Sequence, residues 1–273
     1  MSNHSESQPS VDPYTIRAHD VSTGSQNRIH KDGLTKELGF RGGFVTGAVY
    51  YGQMTRPLVA QYGEDWLNRG VVEMAFPKPV LEGDLLTIST EPAPHEGRER
   101  SFVLRGHNEA GVEVIRVGTW LPVPFPKPDA MSSTATLEWE GEPRTFSMDA
   151  LEIGKPFRAA RHRWSRKDNL FWCDQLGDDL ALYREGDAPP LHPAIVVRCL
   201  KNRQFATDGV QISNTLTIHR ALRVGQEIEL LTIPTEKYEK NGNIWVVFYN
   251  AARVDGVVHV EAIQKKILKL KGA

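Results

Sequence analysis

The chain has 273 residues, 33 Lys plus Arg against 34 Asp plus Glu, and only two cysteines. A net charge near zero, with no basic half, gives counterion release little to act on and argues against nucleic-acid binding. The polar opening residues lack an apolar leader stretch and no run approaches the roughly 18 apolar residues of a membrane span, so the expectation is a cytoplasmic protein with no membrane partner.

The length fits two domains at about 150 residues each as a soft prior. Residues 1–12 are almost devoid of apolar side chains and read as a disordered tail. A short strand is predicted from Tyr14 to Val21, by alternation, and a short helix from Asp32 to Gly39, with Asp32 as N-cap. Phe44 to Tyr62 reads as a helix apolar nearly all round, which marks a buried helix, with Pro57 suggesting a kink or an early end. From Gly70 the period changes: strands are predicted at Val71–Val80, Leu85–Thr90, Ser101–Asn108 and Val112–Leu121. A buried helix followed by a meander of strands is an α+β layout, here spanning residues 13–121.

Residues 122–145, rich in Pro, Ser and Thr, read as a linker. Residues 146–273 then repeat the order of the first half. A strand is predicted at Phe157–Trp164. A helix follows from Ser165 to Leu176, with Ser165 and Asp168 as a capping box and Gly177 as its stop. A second apolar helix is predicted over His192–Phe205. Strands follow at Val210–Leu222, Glu227–Tyr238, Ile244–Val254 and Val257–Leu270. Phe76 stands before the turn at Gly83 as Ile218 does before Gly225, and Gly111 and Gly256 mark the next turns. Two such units are expected to pack edge to edge as an intrachain pseudo-dimer. Cys173 and Cys199 lie in apolar runs and read as buried thiols rather than a disulfide pair.

One stretch carries the chemistry: GSQNRIHKDGLTKELGFRGGFVTGAVYYG, Gly24 to Gly52. It sets a titratable histidine, His30, after an Asn and ahead of a glycine turn that opens into the buried helix. With the LGDDLALY segment of the second half it resembles the MaoC-like dehydratase group, the (R)-specific enoyl-CoA hydratases, in its double-hotdog form. The family motif runs Gly-Asp-x-Asn-Pro-Leu-His. The first half matches it at Gly24, Asn27, Ile29 and His30, and Gly47 stands at the helix-opening glycine; Ser25 occupies the Asp position and Arg28 the Pro position. The second half matches at Gly177, Asp178 and Leu182, with Leu180 for Asn and Tyr183 for His. Each half thus keeps one member of the Asp/His pair.

The resemblance implies a long central helix wrapped by a curved antiparallel sheet, and an enzyme adding water across an enoyl thioester. That reaction needs a proton carrier of near-neutral pKa and donors aimed at the developing enolate. His30 is the candidate carrier, and the N–H groups at the start of the helix at Gly47 are the candidate donors. Asp32, Asp20 or Asp178 is the candidate replacement for the missing acid, with Ser25 at its position and Asn27 able to orient water. Arg41, Gly42, Gly43, Thr46 and Tyr50 are candidate substrate contacts; Tyr183 reads as core or cleft wall. Arg41, Arg56, Lys78 and Arg220 are candidates to meet the phosphates of a CoA carried by the substrate, and no separate cofactor is expected.

Other signals are weak. RGGFVTG lacks the spacing of a dinucleotide loop. Neither HExxH nor paired CxxC occurs, so no metal is expected, and no GxSxG elbow is present. Three functions compete: enoyl-thioester hydration or dehydration, thioester hydrolysis on the same fold, and acyl-thioester binding without chemistry. A homodimer is a further expectation.

Overall fold

The computed structural model describes residues 12–21, 27–30, 32–37, 39–138, 144–145, 149–201, 204–206 and 209–269. The tail expected over residues 1–12 lies almost wholly outside them, as do Gly24 and Ser25.

In chain order the elements are β1 (Tyr14–Arg17), a one-turn 3-10 helix (Arg28–His30), α1 (Asp32–Glu37), α2 (Gly47–Arg69), and strands β2 (Val71–Ala75), β3 (Leu85–Pro92), β4 (Arg98–Asn108) and β5 (Glu113–Pro122). The second half follows with β6 (Arg144–Thr145), β7 (Ala160–Arg163), α3 (Arg166–Leu176), a one-turn 3-10 helix (Ala181–Tyr183), α4 (Pro193–Cys199) and β8 (Phe205–Ala206). Its meander is β9 (Val210–Ile218), β10 (Glu227–Lys240), β11 (Asn243–Val254) and β12 (Val257–Lys269). Ten strands form one sheet in the order β1-β3-β4-β5-β2-β9-β12-β11-β10-β7. The order reads the same from either end once the halves are matched, so the sheet has a pseudo-twofold between β2 and β9. Those two strands pair antiparallel, Val72 opposite Leu216 and Met74 opposite Asn214. Pairing them covers one of the two edges of each half and leaves β1 and β7 as the edges of the whole sheet.

The inner face of the sheet buries α2 and α4 in one apolar core that includes Met54, Leu58, Ile88 and Leu104 from the first half and Ile195, Leu216, Leu230 and Val260 from the second. The helices touch where Gly52 meets α4: a Cβ there would lie 2.8 Å from Ala194 Cβ and 2.9 Å from His192 Cε1. Any larger residue would push the helices apart.

Two helices differ from their predicted limits for local reasons. Pro57 is accommodated inside α2, which continues to Arg69. Its missing N–H would orphan the carbonyl of Gln53, and the Tyr14 hydroxyl approaches that oxygen at 3.4 Å and the Met54 oxygen at 3.3 Å. The break falls instead at Gly63, at φ 53°, a conformation that glycine adopts without a Cβ clash. α4 ends at Cys199, and Phe205–Ala206 forms a short parallel pairing with Arg144–Thr145. An apolar run alone does not separate helix from strand. By contrast, the Ser165–Asp168 capping box and the left-handed Gly177 stop of α3 are both present, because caps are decided within a few residues.

The segment between the halves is not a free tether. Met131 packs on Leu231, Ile233, Tyr249 and Ala251 of the outer sheet face, and the Asp129 N–H donates to Glu261 Oε1 at 2.9 Å. Cys173 and Cys199 are free and buried. No helix among the described residues is long and apolar enough to cross a membrane.

Candidate functional site

In each half a one-turn 3-10 helix presents its last residue, His30 or Tyr183, near the residue that caps the central helix, Thr46 or His192. The two halves use this arrangement differently.

In the first half, Asn27 anchors the turn. Its Oδ1 accepts the Ile29 N–H at 3.2 Å and its Nδ2 donates to the Gly209 carbonyl at 2.9 Å, across to the second half. Both amide atoms of Asn27 are thus engaged by backbone, and the residue braces the turn. The turn is closed further by Phe44 N–H donating to Ile29 O at 2.9 Å. His30 Nδ1 lies 2.7 Å from the Phe44 carbonyl. A carbonyl only accepts, so Nδ1 carries the proton and Nε2 is left with its lone pair; no bond to Nε2 occurs among the described residues. Burial lowers the His30 pKa from its ordinary 6.5, opposed by the Phe44 bond and the charge of Asp20, and assisted by Lys201 and Arg198. The imidazole is thereby held neutral at pH 7, as a base must be.

Of the acids weighed as partners, Asp20 is the one whose field reaches His30. It also accepts a long 3.4 Å bond from Thr46 Oγ1, the residue capping α2. No carboxylate among the described residues is hydrogen-bonded to His30. Asp32 is the first residue of α1. Asp178 belongs to the other cluster.

The remaining first-half candidates divide. Gly47 opens α2, but a Cβ there would sit 2.7 Å from the Phe76 ring, so packing alone accounts for the glycine. Tyr50 is buried edge-on against the same ring, centroids 5.9 Å apart, and packs in the core. Arg41 pairs with Asp84, whose carboxylate also accepts the Leu81 N–H at 2.8 Å, so it serves a turn. Gly42 and Gly43 form the half-buried bend before α2. Arg56 is paired with Asp179 and lies 3.9 Å from Asp178, while Lys78 and Arg220 are exposed.

In the second half the motif acid is locked. Asp178 Oδ1 accepts the Leu180 N–H at 3.0 Å, and Oδ2 lies 3.2 Å from His192 Nε2. His192 Nδ1 accepts the Ala194 N–H at 3.2 Å, so the proton is on Nε2 and points at Asp178. Asn169 Oδ1 accepts the His192 backbone N–H at 2.9 Å. Every polar atom of the His192 ring is used, both partners are almost inaccessible, and Gly52 of α2 closes over them. Tyr183 packs its ring 5.0 Å from the imidazole. Its buried hydroxyl has no partner among the described residues, and its pKa is raised well above 10, first by burial and then by Asp178. The Asp178–His192 pair braces the two central helices.

The sequence reading did not single out His192, Arg198 or Lys201. The first had a signal: His192-Pro193 begins α4 as Thr46-Gly47 begins α2, a cap followed by a first-turn residue. Among the described residues no group of three or more His, Cys, Asp or Glu could hold a metal.

Solved structures share this architecture over nearly the whole chain. A MaoC-domain protein from Chloroflexus aurantiacus, assigned as a dehydratase, aligns at TM-score 0.62 and 12% identity over 96% of this chain and 94% of its own. A conserved Mycobacterium tuberculosis protein described as having a double hotdog fold aligns at 0.60 and 11%, over 95% and 98%. The fold is a double hotdog. A Lactobacillus plantarum protein assigned as an oleoyl thioesterase also aligns, at 0.54 and 9%, over 96% and 98%. Neither a scan of family models nor a search of curated proteins returns a match. At such identities the likeness carries the double hotdog alone, because one fold hosts several reactions.

Proposed function

We propose that this double hotdog is an acyl-thioester enzyme, catalysing hydration or dehydration of an enoyl-CoA-type substrate at the N-terminal half. The single observation that carries the reading is the state of His30: Nδ1–H fixed to the Phe44 carbonyl, Nε2 left as a neutral acceptor. In this reading His30 takes a proton from water as that water adds to the β-carbon. The π electrons of the double bond move to the thioester as its enolate, and the protonated Nε2 of His30 returns the same proton to the α-carbon as the enolate collapses, with the charge of Asp20 favouring the transient imidazolium. N–H groups at the start of α2 stabilise the thioester enolate. Dehydration runs the same steps backwards. The neighbours assigned as dehydratases support this choice of reaction, and the substrate's own CoA is the only carrier it needs.

The lack of a carboxylate hydrogen-bonded to His30 among the described residues favours a second reading, acyl-thioester binding without turnover. The two are separated by incubating the protein with a panel of enoyl-CoA and 3-hydroxyacyl-CoA thioesters. Interconversion lost in His30→Gln supports the enzyme. Saturable binding with no turnover above that variant supports the binder. Release of free CoA from a saturated acyl-CoA, where hydration is impossible, would replace both with thioester hydrolysis.

A further inference from the structure

The inner face of the second half carries polar groups where the first half carries a helix-covered apolar surface. Asn214 pairs across β9 with Met74 of β2 and with Gln264 of β12. Asn250 of β11 stands opposite Ala262 and Thr232. Because Met74, Leu216, Ala262 and Leu230 belong to the inner core, the strand alternation puts Asn214, Asn250 and Gln264 on that same face. They are 0%, 1% and 2% exposed. Yet both side-chain polar atoms of Asn214, Nδ2 of Asn250 and Oε1 of Gln264 have no hydrogen-bond partner among the described residues; Asn250 Oδ1 takes the Thr232 hydroxyl at 2.8 Å. Four unpaired amide atoms on one buried face are expensive, and a native fold rarely retains them without a partner to arrive.

Lys266 continues the row, two residues past Gln264 on β12 and paired with Val246 of β11. Its ammonium lies 5.9 Å from the Phe248 ring centroid, and it makes no ion pair among the described residues. Lys266 is half-buried, and partial burial, with help from Lys201, pushes its pKa down to about 7. The patch is linked to the His30 turn. Lys201 acts on both His30 and Lys266. The Asn27 brace ends on Gly209, beside β9 and packed on Leu268 of β12. Phe76, two residues past Met74, touches the first turn of α2.

Resting on the acyl-thioester reading, we propose that Asn214, Asn250, Gln264 and Lys266 form the acyl end of the site and select an acyl chain that carries a carboxylate. Lys266 and the Nδ2 groups of Asn214 and Asn250 are donors that match a carboxylate's charge and its several lone pairs, whereas Asn214 Oδ1 and Gln264 Oε1 only accept and line the site without bonding to it. An aliphatic chain would leave every one of these donors unpaired, and a site with buried polar groups discriminates strongly against a ligand that lacks them.

The test is titration calorimetry of the full chain with succinyl-CoA and butyryl-CoA, saturated thioesters of equal length whose shared CoA cancels in the comparison. The expected result is succinyl-CoA bound at least about tenfold tighter, with the preference lost in Lys266→Met. The melting temperature of that variant should hold or rise, because a half-buried cation with no ion-pair partner among the described residues is removed. Asn214→Asp, adding a like charge to the ligand's, is the second variant and should also abolish the preference. Equal affinities, tighter butyryl-CoA, or a preference surviving both variants overturns the inference. Enoyl-thioester turnover without carboxylate selectivity overturns it while leaving the proposed hydratase intact. Carboxylate-selective binding without turnover does the reverse.

Discussion

The two motif loops of this chain occupy equivalent places in the pseudo-symmetric sheet and have gone opposite ways. Around Asp178 every polar group but the Tyr183 hydroxyl is answered by another protein group, and α2 closes over the pair at Gly52. Around His30 the backbone is just as firmly braced, through Asn27 and Phe44, but one imidazole nitrogen, in the field of Asp20, takes no bond among the described residues. A hydrogen-bonded pair enclosed by its own fold is a strut; a titratable group braced on one side only is a tool. Holding the same family acid, as the second half does, is therefore no guide to which loop works.

The comparison breaks most readily at the strut. Asp178→Ala leaves the His192 Nε2–H and the Leu180 N–H buried without acceptors, and should cost about 3 kcal/mol of stability. Thermal or urea denaturation will read this; a loss under about 1 kcal/mol would mean the pair is not structural. Gly52→Ala should cost about 1–3 kcal/mol by forcing α2 from α4, and the same melts check it. His30→Gln should do the opposite on both counts, changing stability by less than about 1 kcal/mol while lowering turnover about 10²- to 10⁴-fold.

Acidity sharpens the contrast. A histidine whose folded pKa lies below its unfolded value binds its proton more readily when unfolded. Its stabilising contribution is thus whole above 6.5 and is lost as pH falls below that value toward the folded pKa. Turnover that needs neutral His30 should follow the same window, so the acid limb of kcat/KM belongs below 6.5. A limb above 6.5 would contradict the buried, neutral base. The smallest effect is expected from Tyr183→Phe, which removes an unpartnered hydroxyl and should leave stability unchanged or raise it by up to about 1 kcal/mol. A clear loss would reveal a bond that Tyr183 does make.

How much of this was legible in the sequence follows from how local each feature is. The α3 capping box, the Gly177 stop and the turn glycines of both meanders are decided by chemistry within a few residues, and could be read. So could the repeat, since a hydrophobic pattern repeated in the same order points to two like units. The end of α4 could not, because apolar residues of a buried strand and a buried helix look alike until β6 supplies Phe205 with a partner. Nor could the break at Gly63: Pro57 was the louder signal, and its orphaned carbonyl is answered by Tyr14 from another element. The strut hides in the same way. Asp178 and His192 are joined by a loop whose path only the packed helices determine. The polar row from Asn214 to Lys266 needs the β9–β12 register before its members share a face.

The most direct test of the central claim, that the working site is the N-terminal loop and the C-terminal loop a brace, is kcat/KM for an enoyl-CoA thioester in His30→Gln and Tyr183→Phe side by side. The account predicts at least a hundredfold loss in the first, at an unchanged melting temperature, and wild-type turnover in the second. Wild-type turnover in His30→Gln with a collapse in Tyr183→Phe would put the chemistry in the other half and contradict it.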